Sequence, residues 1–239
     1  MNVYVGTSGW SYKEWRGTFY PPKLPADAML RHYASRFDTV EVNNSFYRIP
    51  RESVLATWAA QVPAGFRFVL KASRRITHNS RLVDTDDSLA YFLRAVNPLG
   101  PQLGPTLFQL PPTFKKDATR LAEFLSRLPP RWPAAMEFRH PSWFEDDIYQ
   151  LLRDRDVPLV AVDEVPEEGS GSPLVTTASW GYLRLRRLDY DAGQLDAWVH
   201  RITTQPWNRA YVFLKHEDGS PTGPSFAEQL QGLLRSRPT

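Results

Sequence analysis

An alternation constrains this chain more than any single motif. Eight short β-rich runs are separated by stretches of helical periodicity: Val3 to Thr7, Thr39 to Asn43, Phe66 to Ala72, Thr106 to Leu110, Ala134 to Arg139, Leu159 to Asp163, Gly181 to Leu185 and Ala210 to Lys215. Eight β-then-α units in 239 residues predict an α/β protein of the TIM (β/α)8 barrel type, one domain over residues 1–239. The intervening apolar residues fall on single helical faces: Met29, Leu30, Tyr33 and Phe37 after Pro25; Val54, Leu55, Trp58 and Val62; Leu89, Leu93 and Val96; Leu121, Phe124, Leu125 and Leu128; Ile148, Leu151 and Leu152; Leu195, Trp198, Val199 and Ile202; and Phe226, Leu230, Leu233 and Leu234. Glu164 to Pro173 is acidic, Gly-containing and Pro-bounded, so a short or missing helix is expected after strand six.

Residues along a strand in such a ring face the helices and the interior alternately. One parity stays apolar and is assigned to the helices: Val40 and Val42, Phe66, Phe68 and Leu70, Phe108 and Leu110, Met136 and Phe138, Val160 and Val162, Leu183 and Leu185. The other parity ends in polar groups at the C-terminal side of the strands: Ser8, Glu41 with Asn43, Lys71, Gln109, Glu137 with Arg139, Asp163, Arg184 and Lys215. These are expected to converge on the barrel mouth, where the fold places active sites.

The chemistry gathers around the strand that ends in Glu137, Arg139 and His140. A buried carboxylate is costly unless a cation or a ligand answers it, so Glu137 reads either as an acid–base group or as half of an interior ion network. Glu41 and Asp163 raise the same alternatives. Strands five and six are neighbours, so Glu137 and Asp163 are expected to lie close enough to share a proton or a cation. The three carboxylates offer oxygen ligands for a divalent metal, Mg or Mn, whereas no His-x-x-x-His spacing supports zinc. Lys71 is open to three readings: an amine nucleophile, a phosphate anchor or a salt-bridge partner. Arg184 is an anion clamp or a balancing charge.

Around this catalytic set of Glu41, Lys71, Glu137 and Asp163, binding groups are expected from the loops. His78 sits in the long stretch from Ser73 to Asp87 with Arg74, Arg75 and Arg81, a length that suits a lid. His140 and His216 are placed near the mouth as proton carriers, and His32 and His200 on the surface. Trp10, Tyr12, Tyr47 and Trp143 are expected to wall the pocket, among a group that also holds Trp15, Phe19, Tyr20, Phe46 and Phe144. Trp58 and Trp198 follow helical spacing and read as core.

Several motifs together carry a resemblance. Gly6-Thr7-Ser8-Gly9-Trp10, Glu41-Val42-Asn43 with Ser45-Phe46-Tyr47, Phe66-Arg67-Phe68 leading to Lys71, Thr77-His78, Phe108-Gln109-Leu110-Pro111-Pro112 and Glu137-Phe138-Arg139-His140-Pro141-Ser142-Trp143 resemble the YecE-like family, domain of unknown function 72. The resemblance is dense over the first two thirds of the chain. It implies a TIM barrel related in fold to sugar isomerases and brings no established reaction. The last third departs from the family pattern at Leu185-Arg186-Arg187 and at Lys215-His216-Glu217-Asp218.

Composition narrows the function classes. There is no cysteine, which removes disulfides, thiolate nucleophiles and Cys-ligated metal centres. No apolar run approaches the length of a membrane span, and the chain enters a strand from Met1 without a leader, so a soluble, cytoplasmic protein is expected. The net charge of +3 permits phosphate-bearing partners without demanding them. The leading expectation is an enzyme, of isomerase or hydrolase type, using acid–base chemistry on a small sugar-like or phosphorylated substrate with no organic cofactor. The alternative from another class is nucleic-acid binding or processing through Lys71, Arg74, Arg75, Arg81, Arg184, Arg186, Arg187 and the loop aromatics. A third is a ligand sensor. The sequence does not specify an oligomeric state.

Overall fold

A computed structural model describes residues 1–164, 171–215 and 222–237. All eight strands form where the β-rich runs lie: β1 (Asn2–Thr7), β2 (Thr39–Val42), β3 (Arg67–Lys71), β4 (Leu103–Gln109), β5 (Ala134–Glu137), β6 (Ala161–Asp163), β7 (Trp180–Leu185) and β8 (Arg209–Leu214). Between them run α1 (Met29–Ala34), α2 (Glu52–Gln61), α3 (Asp86–Ala95), α4 (Ala118–Arg127), α5 (Asp146–Arg153) and α6 (Ala192–Thr203), and α7 (Thr222–Ser236) follows β8. The predicted gap after β6 falls mostly outside the described residues. Its described ends, Glu164 and 171–173, hold no helix, and Ser172 bridges back to Val162.

The helices start and pack as their sequences dictate. Asp117 caps α4 by accepting from Arg120 N at 3.0 Å, and Asp191 opens α6 in a capping box with Gln194. Pro25 leads through the turn Ala26–Ala28 into α1, where its fixed φ suits a helix entry. The inward stripe of α4, Leu121, Phe124 and Leu125, is buried, each such side chain contributing about 1.5–3 kcal/mol. No helix among the described residues is long and apolar enough to cross a membrane.

All ladders are parallel, and they form two four-stranded sheets, ordered β1-β8-β7-β6 and β2-β3-β4-β5. Single parallel bridges join the sheets at Ser8–Glu41 and Met136–Leu159. The first seam lacks a continuous ladder for a visible reason. The Tyr33 hydroxyl sits between the strands, accepting from Thr7 N at 2.8 Å and donating to Thr39 O at 3.0 Å, and so takes the backbone groups a ladder would pair. Gly6 permits this approach, since a Cβ there would stand 2.1 Å from Thr39 O. At the second seam Ser172 Oγ accepts from Val162 N at 2.8 Å and donates to Val160 O, the groups that would carry the ladder past Met136, and Pro158 has no N–H to give.

Two apolar layers result. The outer core joins strands to helices through Val5, Val40, Val42, Phe68, Leu70, Phe108, Met136, Leu183 and Leu185. The inner cluster holds Val69, Leu107, Ala135, Val160, Val162, Trp180, Tyr182, Tyr211 and Phe213, with Tyr4 stacked on Tyr211. Strand six therefore departs from the expected parity. Val160 and Val162 point inward, because Val162 pairs in register with Arg184, and Asp163 pairs with the outward-facing Leu185. His32 also differs from expectation. It is half-buried, with its ring against Phe19 and Tyr20, rather than fully at the surface.

Candidate functional site

The inward parity of β2, β4, β5 and β7 ends in one buried ionic cluster. Arg184, on β7, donates Nη2 to Glu41 Oε1 at 2.8 Å and Nη1 to Glu137 Oε2 at 2.7 Å. Glu41, Glu137 and Arg184 are 0%, 1% and 3% exposed, so this is an interior ion triad, and every carboxylate oxygen in it accepts at least one hydrogen bond. Glu41 also accepts from Ser8 Oγ (2.9 Å), Asn43 Nδ2 (3.0 Å) and the Tyr182 hydroxyl (2.6 Å). Glu137 accepts from Gln109 Nε2 (2.6 Å) and Arg139 Nε (3.2 Å).

These contacts decide the protonation states. Burial pushes both carboxyls up, but the charge of Arg184 and the surrounding donors outweigh it. Glu41 ends below its ordinary value, and Glu137, with Arg139 adding to Arg184, is held down at about 2. Both are anions at neutral pH and weak bases. As carboxylates, Glu41 and Glu137 hold the Arg184 guanidinium between them.

Above the triad lies a cavity of about 440 Å3 at the C-terminal ends of the strands, lined by Ser8, Tyr12, Asn43, Phe46, Tyr47, Lys71, His78, Gln109, Arg139, Arg184, Arg186 and Lys215. Lys71 closes β3. Its Nζ donates to Gln109 Oε1 at 2.7 Å and rests 4.2 Å from the centre of the Phe46 ring. Among the described residues Lys71 makes no salt bridge: Glu41 and Glu137 are bonded to arginine, and its Nζ meets a neutral amide. Burial and the Arg184 charge lower its pKa to about 8, against the opposing pull of Glu137 and Glu41. His78 packs edge-on to Phe46, its ring centre 4.7 Å away, with Nδ1 2.9 Å from Thr77 Oγ1. Burial and the Lys71 charge depress its pKa to about 4, so it is a neutral imidazole.

The stretch carrying His78 is not an open lid. Residues Arg75–Asn79 form a π-helical turn with Ile76 and Thr77 buried, and Leu82, with φ of 69°, is also buried. Tyr47 stands at the rim, 72% exposed, and Tyr12 donates its hydroxyl to Ser8 O. Gly9, at φ 94°, makes room for that ring.

Several expected members lie elsewhere. Asp163 faces outward, where its carboxylate accepts from Arg187 Nε and Trp198 Nε1, both at 2.8 Å, so it shares nothing with Glu137. The one-residue parity error on strand six accounts for the miss. Trp143 is fully buried, stacked on Phe138, with Nε1 donating to Phe114 O; it is scaffold. His140 caps the turn Pro141–Trp143 by accepting from Ser142 N. Trp10 packs edge-on against Trp58 and lines a separate cavity of about 390 Å3 beside α1 and α2. His216 lies outside the described residues, and Lys215 is at the mouth.

The metal hypothesis loses its ligand set. No group of three ligating side chains gathers among the described residues, Asp163 points away, and Glu41 and Glu137 are taken up by Arg184. Among the described residues, Lys71, Arg139, Arg184 and Arg186 surround the cavity, and their charge opposes a divalent cation there. Of the loop aromatics, Trp15, Tyr20 and Trp143 are buried in packing, while Tyr47 is exposed. Phe46 entered the sequence reading only among the loop aromatics and Arg186 only in the nucleic-acid alternative, while Tyr182, buried beneath the mouth against Glu41, escaped it. Tyr182 was accessible from the period of two, lying two residues before Arg184 on the same strand face.

Fold and mouth define a class: a parallel α/β protein with a buried ion triad beneath a cationic cavity at its strand C-termini. Comparison with known proteins makes this specific. The chain belongs to the DUF72 family, described as a protein of unknown function, whose model matches residues 4–239. It is 32% identical over 170 residues to the UPF0759 protein YecE of Escherichia coli (strain K12), an overlap of 69% of this chain and 60% of YecE. It is 30% identical over 189 residues to YunF of Bacillus subtilis (strain 168), an overlap of 74% of this chain and 66% of that protein. A crystal structure of a DUF72 family protein from Thermotoga maritima MSB8 superposes with a TM-score of 0.86 at 27% identity, covering 99% of this chain and 100% of that one. A sugar phosphate isomerase/epimerase from Parabacteroides distasonis shares the fold at a TM-score of 0.57 and 13% identity, covering 98% and 94%.

Proposed function

We propose that the two sheets close into a single-domain TIM barrel whose mouth binds a small anionic, polyhydroxylated substrate, of the sugar-phosphate or sugar-acid kind, for acid–base chemistry of isomerase or hydrolase type. The bridges Ser8–Glu41 and Met136–Leu159, one at each seam, support closure. Charge carries the functional reading. Five cationic side chains, Lys71, Arg139, Arg184, Arg186 and Lys215, line the cavity, and the described carboxylates bonded to them, Glu41, Glu137 and Glu164, are not among the lining residues. Arg184 Nε adds a pointed detail: it is buried and has no acceptor among the described residues, a donor that a ligand oxygen would satisfy. In this reading Arg139, Arg184 and Arg186 hold the anion, Ser8, Asn43 and Gln109 orient hydroxyls, Tyr12 and Tyr47 form the wall, and Lys71 with His78 stands nearest the reacting carbon.

A thermal-shift panel tests this with inorganic phosphate, sugar phosphates, sugar acids, neutral sugars, divalent metals and short oligonucleotides. A ligand at one hundred times its Kd adds about 2.7 kcal/mol, a rise of roughly 5–11 °C for a chain of this size. Sugar phosphates or sugar acids should raise the midpoint and matched neutral sugars should not. Stabilisation by neutral sugars alone, or by oligonucleotides alone, overturns the reading.

A further inference from the structure

We propose that Lys71 is an imine-forming amine: it condenses with the carbonyl carbon of an open-chain aldose, ketose or keto acid held at the mouth. The proposal rests on the anionic-ligand reading of the same cavity and adds to it the class of reacting group. An amine can act this way only if it is unprotonated, held still and open on one side. Each condition has a structural counterpart.

Position comes first. Ser45 Oγ donates to Lys71 O at 2.7 Å and fixes the strand end, while the Nζ lies on the Phe46 ring. The Gln109 amide cannot turn over, because its Nε2 donates to the Glu137 carboxylate, so its oxygen is bound to face Nζ. A free amine would give one N–H to that oxygen and keep its lone pair for the cavity it lines. Charge comes second. The groups around Nζ are the cations Arg184 and Arg139, the neutral His78, and the anions Glu137 and Glu41, which Arg184 engages directly. With burial, this lowers the Lys71 pKa to about 8, so that near pH 8 about half of it is free amine, against less than about 1% of an exposed lysine.

The step balances without any oxidant or reductant. The Nζ lone pair attacks the carbonyl carbon, forming a C–N bond, and the C=O π pair moves to oxygen, which takes a proton. The carbinolamine then expels that oxygen as water, leaving C=N. The protonated imine draws electrons from the adjacent C–H or C–C bond, which suits isomerisation, epimerisation or aldol-type cleavage. The arginines would hold the phosphate or carboxylate at the far end of the same small molecule.

Borohydride reduction converts such an imine to a stable secondary amine. Wild type, Lys71→Met and Lys71→Arg would be incubated at pH 8 with dihydroxyacetone phosphate, or with neutral glyceraldehyde, then reduced and mapped by peptide mass spectrometry. The expected result is an adduct on Lys71 enriched on the order of tenfold or more over the exposed Lys13, Lys23 and Lys115. Inorganic phosphate should compete it away, and both variants should lack it. Equal labelling of all lysines overturns the proposal. If dihydroxyacetone phosphate raises the melting midpoint but Lys71 stays unmodified, the imine falls and the anion site stands. If no phosphate compound shifts the midpoint while glyceraldehyde still labels Lys71 selectively, the anion site falls and the imine stands.

Discussion

Glu137 and Lys71 are tied through Gln109 yet respond oppositely to pH. The ordinary carboxyl value of 4.5 falls to about 2 in Glu137, so the folded state holds that proton less tightly than the unfolded chain. Its stabilisation is complete above pH 4.5 and is lost as pH falls toward 2, on the order of 3 kcal/mol in all. Glu137→Gln should therefore cost about 3 kcal/mol at pH 7, and roughly half of that or less at pH 3, in urea denaturation. An equal loss at both pH values would show that the pairing charge is not what matters. Lys71 runs the other way. Its pKa falls from 10.5 to about 8, so the protonated amine opposes folding below pH 8 and the penalty fades as pH rises toward 10.5. Lys71→Met should melt at or above the wild-type midpoint at pH 6 and lose that advantage by pH 10, while losing the response to sugar phosphates. A stability loss at pH 6 would mean that Lys71 is structural. The sequence made both residues visible through strand parity. It did not show their states, which depend on Arg184 arriving from a strand more than forty positions later in the chain.

At the scale of elements, periodicity located the eight strands and seven α-helices of the described residues, because burial of one face is written locally, and it missed the π-helical turn Arg75–Asn79. Strand six was the exception in detail. Its short run of apolar residues, Val160, Ala161 and Val162, has no polar alternation to mark a face, so its parity could be assigned only from its neighbour β7. The seam at Tyr33 was equally hidden, since one hydroxyl inserted between two strands leaves no periodic trace. It makes a sharp prediction. Tyr33→Phe keeps the ring in its aromatic surroundings of Phe19, Phe37 and Phe66 but leaves Thr7 N–H and Thr39 C=O without their partner. The expected cost is about 2 kcal/mol, a fall in the melting midpoint of roughly 4–8 °C. Hydrogen exchange should show the Thr7 amide losing protection ahead of the β3–β4 ladder. A variant that melts with wild type would mean that the strands close the seam without the hydroxyl.

At the scale of the molecule, the ion triad is also a tie between the two sheets, for Glu41 and Glu137 stand on β2 and β5 while Arg184 stands on β7 of the other. Removing the guanidinium leaves two buried carboxylates facing each other's charge across the interior. Arg184→Met, close in length and apolar, should cost roughly 3–5 kcal/mol at pH 7, a fall of roughly 6–20 °C. The informative quantity is the slope with pH. In wild type Arg184 holds both carboxyls below their ordinary values, so folding favours the ionised forms and acid weakens it. Without Arg184, burial is left as the dominant influence and raises them, so the folded variant binds protons more tightly than its unfolded chain. Its stability should then improve as pH falls from 7 toward 4, where wild type gains nothing. Because every other titrating group is common to both proteins, the difference between their midpoints isolates the triad. That difference should narrow by several degrees between pH 7 and pH 4 if the network is the tie between the sheets. A constant or widening difference would place the stabilising role of Arg184 in packing, and would leave its charge free for the ligand alone.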